Sequence, residues 1–425
     1  MTTIEIEITE PGADYAVADA WLSVDGRPIY HATGLGIRVA EARVPESRVL
    51  KSPLVGARAD HEEVLDPAVE TWVSDHRPTW TVPALPMMSV VDRLAAGAGT
   101  GPRPIAGLRD VRLARWIVLD RPVRLRSRCD GERVELEEDG VLVASASVVA
   151  SLPTPPDPFS PLADPHAAQL PYSRGGVFHG PAFQYLTRLE LGTNGSSGVL
   201  DAARGNVPRG RLHQGLLDAT VHVIPHDELW RWSDRIHPGH VGYPYRLPSI
   251  DFHGELPDSG LLTVDARFAG FDDDVEILPA IDVQVRDGER LLLSYRLVEV
   301  VVALGPLARL DSRERAVFLR DREYVWRAGL STFDGGITRL RKEDLDALEW
   351  FPGTVAHLYN LPSTADPLGE VAVRDHVAHR AGVHPSAVVP SADLTSATVA
   401  GRPGEHYGLN VKRDGNAVAV RDATR

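Results

Sequence analysis

Apolar positions change their period along this chain. From Met87 to Ala98 they fall at helical spacing (Met87, Met88, Val90, Val91, Leu94 and Ala95) with no proline between, which predicts a helix. On either side the pattern is extended. Trp21-Leu22-Ser23-Val24 and Ile29-Tyr30-His31-Ala32 flank Asp25-Gly26, a hairpin turn signal. After the helix, Ile105 to Ala150 is rich in strand-forming runs. Arg115–Leu119, Val123–Arg128, Val134–Glu137 and Val141–Val149 are separated by Asp-Arg-Pro, Asp-Gly and Asp-Gly turns.

A helix wrapped by an antiparallel sheet of such strands is a hot-dog fold. Seven prolines then fall between residues 153 and 171, so this span cannot be a regular helix or a central strand and reads as a linker. Beyond it the outline repeats. A second helix begins near Leu216, and strands are expected at Gly260–Phe268, Ala280–Arg286 and Leu291–Val302. The expected architecture is α+β: a double hot-dog of two antiparallel sheets, each wrapping a long helix, with a small C-terminal α/β region. The units divide as an N-terminal strand segment (1–50), a first hot-dog unit (51–152), the proline-rich linker (153–171), a second hot-dog unit (172–305) and a C-terminal region (306–425). Helices are expected there at Glu343–Trp350 and Val371–Ala381.

Composition narrows the class. With 425 residues, 43% hydrophobic and 24% charged, the chain is long and apolar enough for two or three folded domains. Its net charge of −14 argues against nucleic acid or an anionic membrane surface as a main partner. One cysteine, Cys129, allows no internal disulfide and no cysteine-rich zinc site. The N-terminus carries no signal-like apolar core, and no run approaches the length of a membrane span, so a cytoplasmic protein is the expectation.

Three stretches carry candidate chemistry. The first is Asp75-His76-Arg77-Pro78-Thr79-Trp80, running on to Pro86-Met87-Met88. The second is Gly176-Val177-Phe178-His179-Gly180-Pro181-Ala182-Phe183, and the third is Asp218-Ala219-Thr220-Val221-His222. An acid–base dehydration takes a proton from one carbon and hydroxide from its neighbour. Histidine suits the base role. A carboxyl is an acid only where an apolar site keeps it protonated. Asp218 stands between Leu216-Leu217 and Ala219, where burial is plausible, yet near a helix start, which favours the ionised form. His222 lies one helical turn further on the same face. His179 reads as structural.

In this order the stretches resemble the dehydratase domain of polyketide and polyunsaturated fatty acid synthases. The family's histidine motif is His-x-x-x-Gly-x-x-x-x-Pro; its other motifs are similar to Gly-x-x-Phe/Tyr-x-Gly-Pro-x-Phe, Asp-x-x-x-Gln/His and a Leu-Pro pair, here Leu247-Pro248. The resemblance covers roughly residues 50 to 305. Two positions depart from it: Trp80 stands where the family has glycine, and the closing proline, Pro86, comes one place late. The loop after His76 is therefore expected to follow a different path. The resemblance implies a 3-hydroxyacyl-carrier-protein dehydratase with His76 as base, Asp218 as acid and His222 orienting the aspartate. Trp80, Pro86, Met87, Phe178, Gly180, Pro181 and Phe183 would line the substrate tunnel, and N–H groups near Pro86–Met88 would polarise the thioester carbonyl. No metal or redox cofactor is implied; the substrate rides on the phosphopantetheine of an acyl carrier protein. Other synthase domains, and a second copy in a homodimer, are the further partners expected.

Alternatives stay open: a non-catalytic module that positions partners within a synthase, or a hot-dog isomerase or cyclase. A zinc site from His222, His226, His237 and His240 is disfavoured because Pro225 and Pro238 break the run. Arg374-Asp375-His376-Val377-Ala378-His379 resembles the Lys-Glu-x-x-x-Lys signature of phosphopantetheinyl transferases with every signature position altered, which points to a degenerate remnant or a structural tail. Seven arginines fall between residues 109 and 128, and Arg124, Arg126 and Arg128 alternate on one strand. They read either as an ion-paired sheet face, with Glu135 and Glu137, or as a carrier-docking face.

Overall fold

The structure, a computed structural model, describes residues 2–11, 15–24, 27–38, 59–99, 105–151, 154–272, 277–362, 364 and 366–423. Contacts divide the chain into two compact units, Met1–Val55 and Gly56–Arg425. The first is a three-stranded antiparallel sheet of β1 (Thr2–Pro11), β2 (Tyr15–Val24) and β3 (Arg27–Arg38). The strands flanking the expected Asp25-Gly26 turn pair as a hairpin, Val24 opposite Arg27; the turn itself lies outside the described residues.

The second unit begins with β4 (Ala59–Leu65), α1 (Met87–Ala98), β5 (Gly107–Leu113), β6 (Val123–Asp130), β7 (Arg133–Glu138) and β8 (Val141–Val149). Helix α1 occupies the expected span because Pro86 lacks an N–H to extend a ladder and Gly99 closes the last turn. It is buried nearly all round: Val91 and Leu94 reach the core, and its two charged side chains, Asp92 and Arg93, are partnered. Arg93 contacts Glu63 at 2.6 Å and donates to Gln214 Oε1 at 3.1 Å, tying the helix to the other half of the unit.

The other half runs through β9 (His166–Ala167), α2 (Pro171–Arg174), β10 (Leu186–Leu191), β11 (Gly195–Asp201), α3 (Gln214–Ala219), β12 (His240–Phe252), β13 (Leu261–Phe271), β14 (Pro279–Asp287) and β15 (Arg290–Ala303). The double hot-dog is present, with two refinements. The two sheets are not separate: β5 pairs with β12, so twelve strands form one continuous sheet in the order β4-β6-β7-β8-β5-β12-β15-β14-β13-β11-β10-β9. The second helix is also not long. Helix α3 has six residues, tightens into a 3₁₀ turn at Thr220–Val223, and stops before Pro225.

Arg115–Leu119 is not a sheet strand. It runs beside residues 83–85 instead, with Leu85 N–H donating to Ile117 O and Leu119 N–H to Pro83 O. Pro83 and Pro86 have no N–H, so a longer ladder cannot form there. The arginine face is ion-paired. On β6, Arg124 meets Glu62 at 3.4 Å and Arg128 meets Glu137 at 3.4 Å, while Arg126 stands opposite Glu62 and Glu137 in register. Arg109, Arg112, Arg115 and Arg121 likewise reach Asp251, Asp110, Glu138 and Asp139. Local carboxylates balance the charge a docking role would need free.

Residues beyond 305 pack onto the hot-dog pair. They form α4 (Ser312–Ala316), β16 (Thr332–Asp334), β17 (Ile337–Arg341), α5 (Lys342–Leu348), α6 (Thr354–Tyr359), α7 (Pro367–Ala381), β18 (Val388–Pro390), β19 (Ser396–Val399), β20 (His406–Asp414) and β21 (Ala417–Asp422). Both expected helices are present. The described strands pair antiparallel in the order β16-β17-β21-β20-β19-β18, so the region is α+β and not α/β. In α7 the Arg374–His379 stretch serves the core. Arg374 pairs with Glu370, and Asp375 accepts from Leu330 and Ser331 N–H. His376 bonds Thr338 and Asp422. No helix among the described residues is long and apolar enough to cross a membrane.

Candidate active site

His76 ends a 3₁₀ turn, Thr71–Asp75, and is buried. Its Nδ1 lies 2.7 Å from Ala84 O, and its own carbonyl accepts from Ala84 N–H at 3.1 Å. A carbonyl can only accept, so Nδ1 carries the ring proton and Nε2 keeps a lone pair. The loop these bonds close holds Thr79 and Trp80 in the left-handed region, at φ 58° and 64°. That region favours glycine. Trp80 therefore keeps a glycine-like backbone while adding an indole, which packs edge-on to Phe178 and carries the Arg320 guanidinium 5.1 Å from its ring.

A second segment is zipped to the first. His76 and His179 form an antiparallel bridge, Gly180 N–H donates to Asp75 O at 2.7 Å, and Ala182 N–H donates to Asp75 Oδ2 at 2.7 Å. A side chain at residue 180 would collide with the Asp75 carboxylate, which explains the glycine. The rings of His76 and His179 stand 4.9 Å apart, edge to face, with Phe178 and Phe183 against both.

Asp218 is the fifth residue of α3, past its first turn, so burial outweighs the helix dipole as its environment. His179 Nε2 lies 3.2 Å and His222 Nε2 3.4 Å from Asp218 Oδ2, at the loose end of hydrogen bonding. Asp218 Oδ2, on an ionised carboxylate, can only accept, so the His222 Nε2 facing it carries the ring proton; Nδ1 then accepts from the Tyr172 hydroxyl at 2.9 Å, and the Tyr172 oxygen accepts from Leu186 N–H. Just past the end of the helix, His226 Nδ1 meets the buried Glu299 at 2.7 Å.

These contacts set the protonation states. Burial, with His179 beside it, lowers the His76 pKa to about 3; burial and His222 lower His179 to about 4. His222 is also lowered by burial, despite Asp218. Burial would keep Asp218 protonated, but the two histidines outweigh it and hold the carboxyl well below the usual range. Burial alone would lower His226 too, yet Glu299 raises it.

His76, His179 and Asp218 open onto one cavity of about 100 Å³. Of the expected lining residues, Trp80, Met87 and Phe178 are on its wall. Pro86, Gly180, Pro181 and Phe183 are not: Pro86 caps α1, Gly180-Pro181 holds the Asp75 clasp, and Phe183 is core. His222 stands behind Asp218 and off the wall.

Solved dehydratase domains are similar to this chain. The dehydratase domain of PpsC from Mycobacterium tuberculosis, in complex with C12:1-CoA, is 18% identical, with 59% of this chain and 99% of that one covered at a TM-score of 0.47. The dehydratase domain from the CurJ module of curacin polyketide synthase is 13% identical, covering 59% and 98%, at 0.47. A pyran synthase domain from module nine of the sorangicin pathway is 18% identical, covering 59% and 99%, at 0.46. No family model matches the chain, and no curated protein does.

Sequence reasoning set His179 aside as structural and did not single out Tyr172. His179 meets Asp218 and Tyr172 meets His222. The available signal was the placement of His179 inside the Phe-x-Gly-Pro stretch, one residue from a motif glycine. Among the described residues, His179, Asp218 and His222 are the group that could hold a metal ion, their donor atoms lying within 4.8 Å of one another.

Proposed function

We propose that the protein removes water from 3-hydroxyacyl thioesters presented on the phosphopantetheine of an acyl carrier protein, giving 2-enoyl thioesters. The observation that carries this reading is the pairing on one cavity wall of a neutral, lone-pair-bearing His76 with an aspartate held by two histidines. His76 Nε2 takes the C2 proton, and the electrons of that bond form the C2–C3 double bond as the C3–oxygen bond breaks. The departing hydroxyl takes a proton and leaves as water.

In the ligand-free protein Asp218 is ionised and both histidines are neutral, so the Asp218–His179–His222 unit must first take up one proton from solvent, and only that singly protonated form hands a proton to the departing hydroxyl. The proton on His76 then returns to the unit and restores the starting state. His226, paired with Glu299, stands behind His222 and helps to lower the pKa of both His222 and His179. Met87 and Met88 line the cavity at the first turn of α1, where backbone N–H groups lack helical partners and can polarise the thioester carbonyl. The reading needs no metal or redox cofactor.

The test is turnover of a panel of 3-hydroxyacyl carrier thioesters, with products identified by mass spectrometry. His76→Ala and Asp218→Asn should each lower the rate by roughly 10²–10⁴-fold while circular dichroism stays unchanged. Full activity in either variant would end the assignment. A product with a shifted double bond or a new ring would point to isomerisation or cyclisation instead.

A further inference from the structure

The C-terminal region is part of the cavity wall. Leu307, Arg315, Leu319, Ala347, Leu348 and Trp350 line the space that also holds His76 and Asp218. This wall is anchored at three places. Asp227 on the second hot-dog unit takes both the Arg174 guanidinium, at 2.6 and 2.8 Å, and the Ser312 hydroxyl of α4, at 2.6 Å. Thr79, in the loop after His76, shares a buried hydroxyl contact with Thr354 at 3.0 Å. Phe351 is fully buried against Val82 and Ala84 of that loop, with Trp116 and Trp350 packed on the same cluster.

Trp350 is held more closely still. Its ring lies 4.3 Å from Tyr243, 6.1 Å from Trp116 and 6.0 Å from Phe351. Tyr243 stacks on Phe178, which meets His76 edge-on at 5.0 Å. A row of rings thus runs from the proposed base to the C-terminal region: His76, Phe178, Tyr243, Trp350. Glu349, next to Trp350, accepts from Gly353 and Val355 N–H, which ties the segment carrying the indole to α6.

We infer that Trp350, backed by Leu348, is the specificity-determining residue that limits the length of acyl chain the cavity accepts. This rests on the dehydratase reading for what the ligand is. An apolar chain with C2 beside His76 can lie along the aromatic row, where each methylene gains by leaving water. It ends where the anchored indole ends the row. Because the wall is fixed at three points and close-packed, it cannot yield cheaply to a longer chain. The substrate class is therefore a short acyl chain.

The test uses the full-length protein and a graded series of unreactive acyl-pantetheine amides, short to long, with affinity measured by calorimetry. Wild type should bind short chains and lose affinity beyond a limiting length. Trp350→Ala should move that limit to longer chains, with the first excluded amide gaining on the order of tenfold or more, while Trp350→Phe should move it less. Leu348→Ala, a smaller change, keeps the test open if Trp350→Ala does not fold. An unchanged length limit in the folded variants, or equal weakening for all lengths, would overturn the inference. Binding without turnover of the matching 3-hydroxyacyl thioester would instead count against the dehydratase reading and leave the length gate standing.

Discussion

His179 Nε2 lies 3.2 Å from Asp218 Oδ2, and its ring stands 4.9 Å from that of His76. The base and the acid unit of the proposed reaction are thus joined through one imidazole. His179→Phe keeps the ring and its packing on Phe178 and Phe183 but removes one of the two donors that hold Asp218 ionised. The Asp218 carboxyl should titrate higher in this variant. We expect turnover to fall on the order of tenfold or more, the effect of losing a hydrogen bond to a charged group. The kcat–pH profile should move as well. A variant with wild-type rate and profile would make His179 a packing residue.

Acid should destabilise the protein earlier than carboxylate titration would. The folded pKa values of His76 and His179, about 3 and about 4, lie below the ordinary value of 6.5, and His222 is lowered too. The unfolded chain therefore binds more protons below pH 6.5. Stability from these groups is complete above pH 6.5 and is lost as pH falls toward 4. Asp218, lowered by the same histidines, adds a loss at more acid pH. His226 has the opposite sign, since its pKa is raised by Glu299 and its contribution fades as pH rises through that value. Melting temperature should drop between pH 6.5 and 4.5, and His76→Phe should flatten that drop. An equal slope in the variant would place the titration elsewhere.

Trp80 offers a stability test whose sign is unusual. At φ 64° its backbone sits where an L side chain costs about 1–2 kcal/mol. Trp80→Gly and Trp80→Ala lose the same indole contacts with Phe178 and Arg320. Glycine should then be the more stable of the two by about 1 kcal/mol, the reverse of the order in a helix. Denaturant unfolding of the pair decides it; alanine at or above glycine would mean the loop relaxes to negative φ.

Metal removal separates two uses of the same three side chains. If His179 and His222 donate protons to Asp218, as proposed, neither chelator treatment nor added zinc should raise or lower turnover by more than a small factor. Metal analysis of the purified protein should find less than stoichiometric zinc. A tightly held equivalent whose loss abolishes turnover would replace the proton-donating unit with a metal centre.

Much of the frame could be read from the chain because local patterns agree with the packing. Helix α1 spans the residues its apolar spacing marks, and β8 and β14 follow the expected strands to within a residue. Reading failed where tertiary partners overrule local pattern. Arg115–Leu119 looks like a strand, but the prolines at 83 and 86 deny it a ladder. Helix α3 was shortened by Pro225, a stop visible beforehand. His179 is ordinary in isolation; its meaning comes from Asp218, which only folding brings near. The same holds for Trp350, whose neighbours Tyr243 and Trp116 come from distant segments. At Trp80 the left-handed backbone, φ 64°, could not be read from the residue itself, since such a dihedral favours glycine.

The Asp75 clasp bears on how a substrate enters. Asp75 holds Gly180 through its main-chain oxygen and Ala182 through its carboxylate, directly beside the His76–His179 bridge. The reacting groups are consequently assembled before any ligand arrives. In the proposed reaction a thioester arm would thread into a finished socket, with no hinge needed to bring His76 and Asp218 together. Binding should follow a single concentration-linear phase in stopped flow, and its heat should owe little to ordering of the protein itself.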